Sequence, residues 1–355
     1  MSLERPIAGS RAAAADLPAD RPADRPLLEA HDLVVDYPIR RGLVGAMRRE
    51  PQQHVRAVDG VSLTVAKGEM LALVGESGCG KTTTARAVLR MLEPAAGTLR
   101  FGGEDITHLP AKALRQLRRR MQLIYQDPYE SLDPRFRVHA TMEEPLAIHG
   151  VGDRAERRQR TRDALERAGL APPDLYLDRY PHELSGGQRQ RVAIAAGLVL
   201  EPELLVADEP ASMLDVSVRA GVLALLTRLR QEADLGILMI THDFSTAAHF
   251  ADRIAVMYLG RIVEEGPART VVNAPAHPYT RALLSAVPPR NPRERRIPEI
   301  LKGEPPDPTA IPRGCRFHPR CPLVQEQCPT IDPALRPVPS SGPDAGRHRA
   351  ACVLV

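Results

Sequence analysis

The chain has 355 residues, 43% of them hydrophobic, enough for one large core or a large core with a smaller appended unit. Lys plus Arg number 48 against 44 for Asp plus Glu, a net charge of +4, which is too balanced to make duplex nucleic acid the expected ligand. No apolar run approaches the roughly 18 residues that cross a bilayer, and the first two dozen residues lack the apolar stretch of a secretory signal, so a cytosolic protein with no span of its own is expected.

Residues 1–27 mix charges and prolines without apolar periodicity and predict a disordered tail. Short β-prone runs then follow at Leu33-Val34-Val35, Val61 to Val65, Met70 to Val74, Leu204 to Val206 and Ile237 to Ile240. Helical spacing appears in Ala85, Val88, Leu89 and Leu92, in Val192, Ala195, Ala196 and Val199, and in Val222, Leu225, Leu226 and Leu229. The alternation predicts an α/β core over 28–286. A polar, mostly helical stretch at about 141–190 interrupts the strands as an inserted subdomain. From 287 to 355 prolines return, and four of the five cysteines, Cys315, Cys321, Cys328 and Cys352, fall in this loop-rich extension.

Three motifs carry chemistry. Gly75-Glu76-Ser77-Gly78-Cys79-Gly80-Lys81-Thr82 follows an apolar strand and precedes an amphipathic helix, the setting of a phosphate-binding loop. Its glycines let backbone N–H groups turn toward phosphate, Lys81 reaches the β and γ oxygens, and Thr82 offers a hydroxyl to Mg²⁺. Leu204 to Ala207 is an apolar strand ending in Asp208 and Glu209: the first carboxylate can hold Mg²⁺ through water, the second can polarise an attacking water. Leu184-Ser185-Gly186-Gly187-Gln188 opens a helix and forms either a second anion site or an ordinary serine cap.

Together these motifs resemble the nucleotide-binding subunits of ABC transporters over roughly residues 28–286. The resemblance implies an ABC ATPase core with a mixed sheet, an antiparallel β subdomain, an inserted helical subdomain and a small C-terminal extension. It also implies that Ser185, Gly187 and Gln188 of one subunit close over the γ-phosphate held by another. Tyr37 then matches the ring that stacks on adenine, Gln126 the Q-loop ligand of Mg²⁺, Asp215 the D-loop and His242 the switch histidine. The implied ATP site comprises these residues with Gly75, Ser77, Gly78, Gly80, Lys81, Thr82, Thr83 and Asp208, and Glu209, His242 and Lys81 act in catalysis.

Val58-Asp59-Gly60-Val61-Ser62, Gln126 to Arg135 and Tyr180-Pro181-His182-Glu183-Leu184 look like the ATPases of dipeptide and oligopeptide importers. The insertion with Arg40-Arg41-Gly42 fits the second of the two ATPase types in such systems, and nickel importers share much of the same wording. Thr83, Ala196-Gly197 and Met213 depart from the commonest pattern without removing a catalytic group. The implied partners are a second ABC ATPase subunit, two transmembrane permease subunits that meet the surface around Gln126 to Glu144, and an extracytoplasmic binding protein. The implied place is the cytoplasmic face of the inner membrane. Cys315, Cys321, Cys328 and Cys352 match cysteines that hold an iron–sulfur cluster in some members; a [4Fe–4S] cluster, Zn²⁺ and free thiols all remain open on spacing. A soluble, non-transport ABC ATPase is disfavoured by the single phosphate loop, and a small-molecule kinase has no use for Ser185 to Gln188.

Overall fold

A computed structural model describes residues 26–38, 54–287, 301, 303–304, 306–339, 344 and 346–355. The expected tail up to residue 25 and the Arg40-Arg41-Gly42 insertion lie outside the described residues.

Two sheets organise the chain. The first is antiparallel: β1 (Leu28–Pro38), β2 (His54–Val65), β4 (Ala96–Phe101) and β5 (Glu104–Asp105) lie in the order β2-β1-β4-β5, with β3 (Met70–Val74) belonging to the second sheet. The second sheet adds β6 (Met121–Ile124), β7 (Leu204–Asp208), β8 (Gly236–Thr241), β9 (Arg253–Tyr258), β10 (Arg261–Pro267), β11 (Arg336–Pro337) and β12 (Arg349–Ala350). Its order is β11-β12-β10-β9-β3-β8-β7-β6. Neighbours from β9 to β6 are parallel and the rest antiparallel, so this is the expected mixed sheet. Every residue of β3, β7 and β8 is buried, as strands covered on both faces must be.

Helix α1 (Lys81–Val88) follows β3, and it is shorter than its spacing predicts. Arg90 takes a left-handed φ of 53°, and its Nε donates to the Ile106 carbonyl at 3.0 Å, so Leu92 lies beyond the helix. Helices α2 (Val138–Ile148) and α3 (Arg154–Arg167) are interposed before α4 (Gly186–Leu198). Their apolar residues Val138, Met142, Leu146 and Leu165 join the core beneath β7 and β8. Helix α5 (Val216–Ala233) buries Val222, Leu225, Leu226 and Leu229 against the same core, as its spacing predicts. β9 and β10 are not among the strands expected from the sequence; β9 is buried almost throughout, and β10 places Glu264 and Glu265 in the core.

The C-terminal residues are tied to the second sheet. β12 pairs with β10 through Glu264↔Ala350 and Glu265↔Arg349. Glu264 is fully buried, and its carboxylate accepts from the Ala276 and His277 N–H groups at 2.7 and 2.9 Å, with His348 Nε2 at 2.7 Å. A buried carboxylate costs free energy unless its lone pairs are met, and here three groups meet them. Asp59 plays a similar part for the antiparallel sheet. Burial works to raise its pKa, but Arg316, Arg261 and Arg56 together outweigh that and hold it ionised below the usual range.

Candidate nucleotide site

The register of the second sheet brings three chain turns to one edge. Val74 at the end of β3 pairs with Thr241 of β8, and Asp208 at the end of β7 pairs with Ile240. The loop after Val74, Glu209 after Asp208 and His242 after Thr241 therefore emerge side by side, at the carboxyl ends of parallel strands where such sheets bind ligands.

The phosphate-type loop is built for close approach. Gly80 has φ of 109°, and a Cβ there would meet the Ala57 carbonyl oxygen at 2.2 Å, so only glycine fits. Gly80 is also the N-cap of α1 and supplies no side chain, which leaves the first N–H groups of the helix for an anion. Lys81 is 6% exposed, and its Nζ donates to the Gly75 and Glu76 carbonyls, each at 2.8 Å. Cys79 is buried, and burial raises its pKa, which suits a space-filling thiol.

The carboxylates face this loop. Thr82 Oγ1 donates to Asp208 Oδ1 at 3.2 Å. Burial raises the Asp208 pKa above the ordinary value; the Thr82 hydrogen bond opposes the shift and the neighbouring Glu209 charge adds to it. Glu209 has φ of 45°, a conformation uncommon for a non-glycine residue, fixed by its N–H donating to the Ile240 carbonyl at 2.9 Å. Gln126 Nε2 donates to Glu209 Oε2 at 3.1 Å, and His242 Nδ1 lies 3.0 Å from Glu209 Oε1. These groups surround an open cleft of about 620 Å³, to which Ser77, Gly78, Gly80, Lys81, Thr82, Thr83, Gln126, Glu209 and His242 all contribute. Thr82, Asp208 and Gln126 supply hard oxygen donors in a set too small to cage an ion alone. That fits Mg²⁺, which takes one or two protein groups and completes its shell with phosphate and water.

Other expected site residues do not reach the cleft. Ser185 accepts from the Gln188 N–H at 3.3 Å, and Gln188 Oε1 accepts from the Ser185 N–H at 3.0 Å, a capping box on α4 that leaves both facing solvent or their own helix. Asp215 is an exposed N-cap of α5 without a side-chain bond, and Tyr37 is an exposed residue near the end of β1. Ala57, Ser212 and Met213 line the cleft although the motifs did not single them out as site residues. Ser212 is held by its Oγ donating to the Glu209 carbonyl at 3.1 Å.

The fold family of the whole is settled by comparison. The ABC transporter family model matches residues 58–212, and the model for the oligopeptide/dipeptide transporter C-terminal region matches 263–328. The chain is 43% identical over 329 residues to the dipeptide transport ATP-binding protein of Escherichia coli, covering 93% of this chain and 94% of that one. The chain belongs to the ATP-binding proteins of ABC transporters. It is 42% identical to the oligopeptide transport ATP-binding protein of Bacillus subtilis over 331 residues, covering 92% and 97% of the two chains. Among solved structures it resembles a dimeric ATP-binding cassette in a post-hydrolysis state with ADP and phosphate. The TM-score is 0.59 at 27% identity, covering 68% of this chain and 99% of that one. As a member of this family the chain is an ATPase. Among the described residues no helix is long and apolar enough to cross a membrane.

The iron–sulfur expectation finds no support. Cys315, Cys321 and Cys352 each lie in the electrostatic field of neighbouring thiols, so the fold does gather the four cysteines. Yet among the described residues no three or more His, Cys, Asp or Glu side chains are arranged to hold a metal ion. Burial raises the pKa of these three thiols, and Cys328 Sγ instead accepts from the Gln325 N–H at 3.3 Å.

Proposed function

We propose that the chain is the ATP-hydrolysing subunit of an importer for dipeptides or oligopeptides, working at the cytoplasmic face of the inner membrane with a second ATPase subunit and two permease subunits. The observation that carries this reading is the convergence of Lys81, Thr82, Glu209, Gln126 and His242 on one cleft, with Asp208 behind them bonded to Thr82. The matched oligopeptide/dipeptide C-terminal region and the names of the relatives support the peptide class.

In this mechanism the loop N–H groups and Lys81 bind the β- and γ-phosphates, and Tyr37 contributes a face for the adenine ring. Thr82, Asp208 and Gln126 would hold Mg²⁺, which when bound would neutralise phosphate charge. Glu209 accepts a proton from the attacking water, and Gln126 and His242 fix its carboxylate for that task. His242 can then turn its donor to the γ-phosphate as charge grows there. Ser185, Gly187 and Gln188 stand outside the cleft because they serve the site of a partner subunit, as Asp215 does at the same face. The Ser185–Gln188 capping box keeps the α4 N-terminus ordered until that partner arrives.

Deleting the gene in its native host should abolish uptake of labelled di- and oligopeptides, with recovery on re-expression of the wild-type chain and none with Glu209→Gln. Full peptide uptake in the deletion strain would reject the peptide assignment.

A further inference from the structure

Glu76 is an acid placed in the second position of a loop whose task is to receive a polyanion. Like charges close together in a partly dry cleft repel strongly, so this carboxylate works against binding unless something cancels it. The cancelling group comes from the far end of the chain. Arg320 Nη1 donates to Glu76 Oε2 at 2.9 Å and Nη2 to Oε1 at 3.2 Å, the two-pronged geometry that gives the strongest ion pairs. The guanidinium is 7% exposed and ends a short 3₁₀ turn, His318–Arg320, in the C-terminal extension.

The same residue of the loop is held from a second side. The Glu76 N–H donates to Tyr279 Oη at 3.0 Å, and Tyr279 is fully buried. Its ring packs 4.7 Å from Tyr258 and 5.4 Å from Phe317, centroid to centroid, and Phe317 precedes the Arg320 turn. Arg320 also lies over the Tyr258 ring at 6.0 Å. Because the Glu76 carbonyl is one of the two main-chain carbonyls that accept from Lys81 Nζ, where Glu76 sits helps decide where Lys81 points.

We propose that Arg320 is a positioning residue for ATP binding: it neutralises Glu76 and fixes the loop so that Lys81 and the loop N–H groups meet the phosphates. The proposal rests on the reading of the cleft as the ATP site. The extension thus takes part in nucleotide binding without touching the nucleotide.

The test uses the purified full chain and four variants: Arg320→Gln, Arg320→Ala, Arg320→Lys and the double variant Glu76→Gln/Arg320→Gln. A fluorescent ATP analogue reports affinity, steady-state hydrolysis reports KM and kcat, and the unfolding midpoint is measured without nucleotide. Arg320→Gln and Arg320→Ala should weaken binding about tenfold, the loss appearing in KM more than in kcat. Arg320→Lys, which keeps the charge but not the fork, should recover part of it. The double variant should bind more tightly than Arg320→Gln alone, because no charge remains to be cancelled. Wild-type affinity in whichever of the two neutral variants folds would overturn the proposal, as would a double variant no better than the single one. A lowered midpoint with unchanged affinity would assign Arg320 to folding alone and equally reject it. Lys81→Ala run alongside separates the two levels: wild-type binding by that variant would sink the ATP-site reading itself.

Discussion

Lys81→Ala should lose ATP binding by at least about 100-fold. The ammonium is 6% exposed, and its two short hydrogen bonds go to the neutral main-chain carbonyls of Gly75 and Glu76. Such acceptors orient a cation without cancelling its charge, so most of its charge is left for an anion in the cleft. A charge-assisted hydrogen bond contributes about 1.5–3 kcal/mol, and a hundredfold loss, about 2.7 kcal/mol, lies within that range. Alanine creates little strain at the first residue of α1, so the fold should persist. Equilibrium titration with an ATP analogue measures the effect, and unaltered affinity would overturn the phosphate-loop assignment.

Glu209→Gln should leave binding within a few-fold of wild type and slow turnover by about 10² to 10⁴, the range that a positioned general base supplies. Glutamine keeps the shape and can still hydrogen-bond Gln126 and His242, which lie 3.1 and 3.0 Å from the carboxylate oxygens. What it cannot do is take a proton from water. The variant should therefore hold intact ATP, seen as nucleotide retained on the protein with no phosphate released. Phosphate release at the wild-type rate would remove Glu209 from the chemistry.

Much of this site was legible because its parts are local. A phosphate loop is one uninterrupted run, Asp208 and Glu209 are adjacent, and each follows an apolar strand whose burial shows in its composition. The interposed helices α2 and α3 showed only as a polar, mostly helical stretch, and the mixed sheet was implied by the family resemblance, not by any local pattern. β9 and β10 were not legible: β10 carries Glu264 and Glu265 at buried positions, which breaks both the alternating and the continuous apolar pattern, and β9 was missed although Ile254 to Tyr258 is an apolar run like those of β3 and β7. The Arg320–Glu76 pair joins residues 244 positions apart, and no local pattern encodes it. The only available hint was an acid within an anion-binding loop, which raises the question of what neutralises it. The cysteines stay where the sequence left them: the ligand count suggests a metal, and among the described residues no group is arranged to hold one.

On the proposed function the cleft is half of a working site. Lys81, Thr82 and Glu209 line it, with Asp208 bonded to Thr82, while Ser185 lies outside, capping α4. The most direct test compares the purified monomer with the same chain in its assembled transporter, measuring ATP bound per chain and ATP hydrolysed per minute in each. The monomer should bind about one ATP per chain and turn it over far more slowly than the assembly. A monomer that hydrolyses ATP as fast as the assembled transporter would contradict the half-site reading.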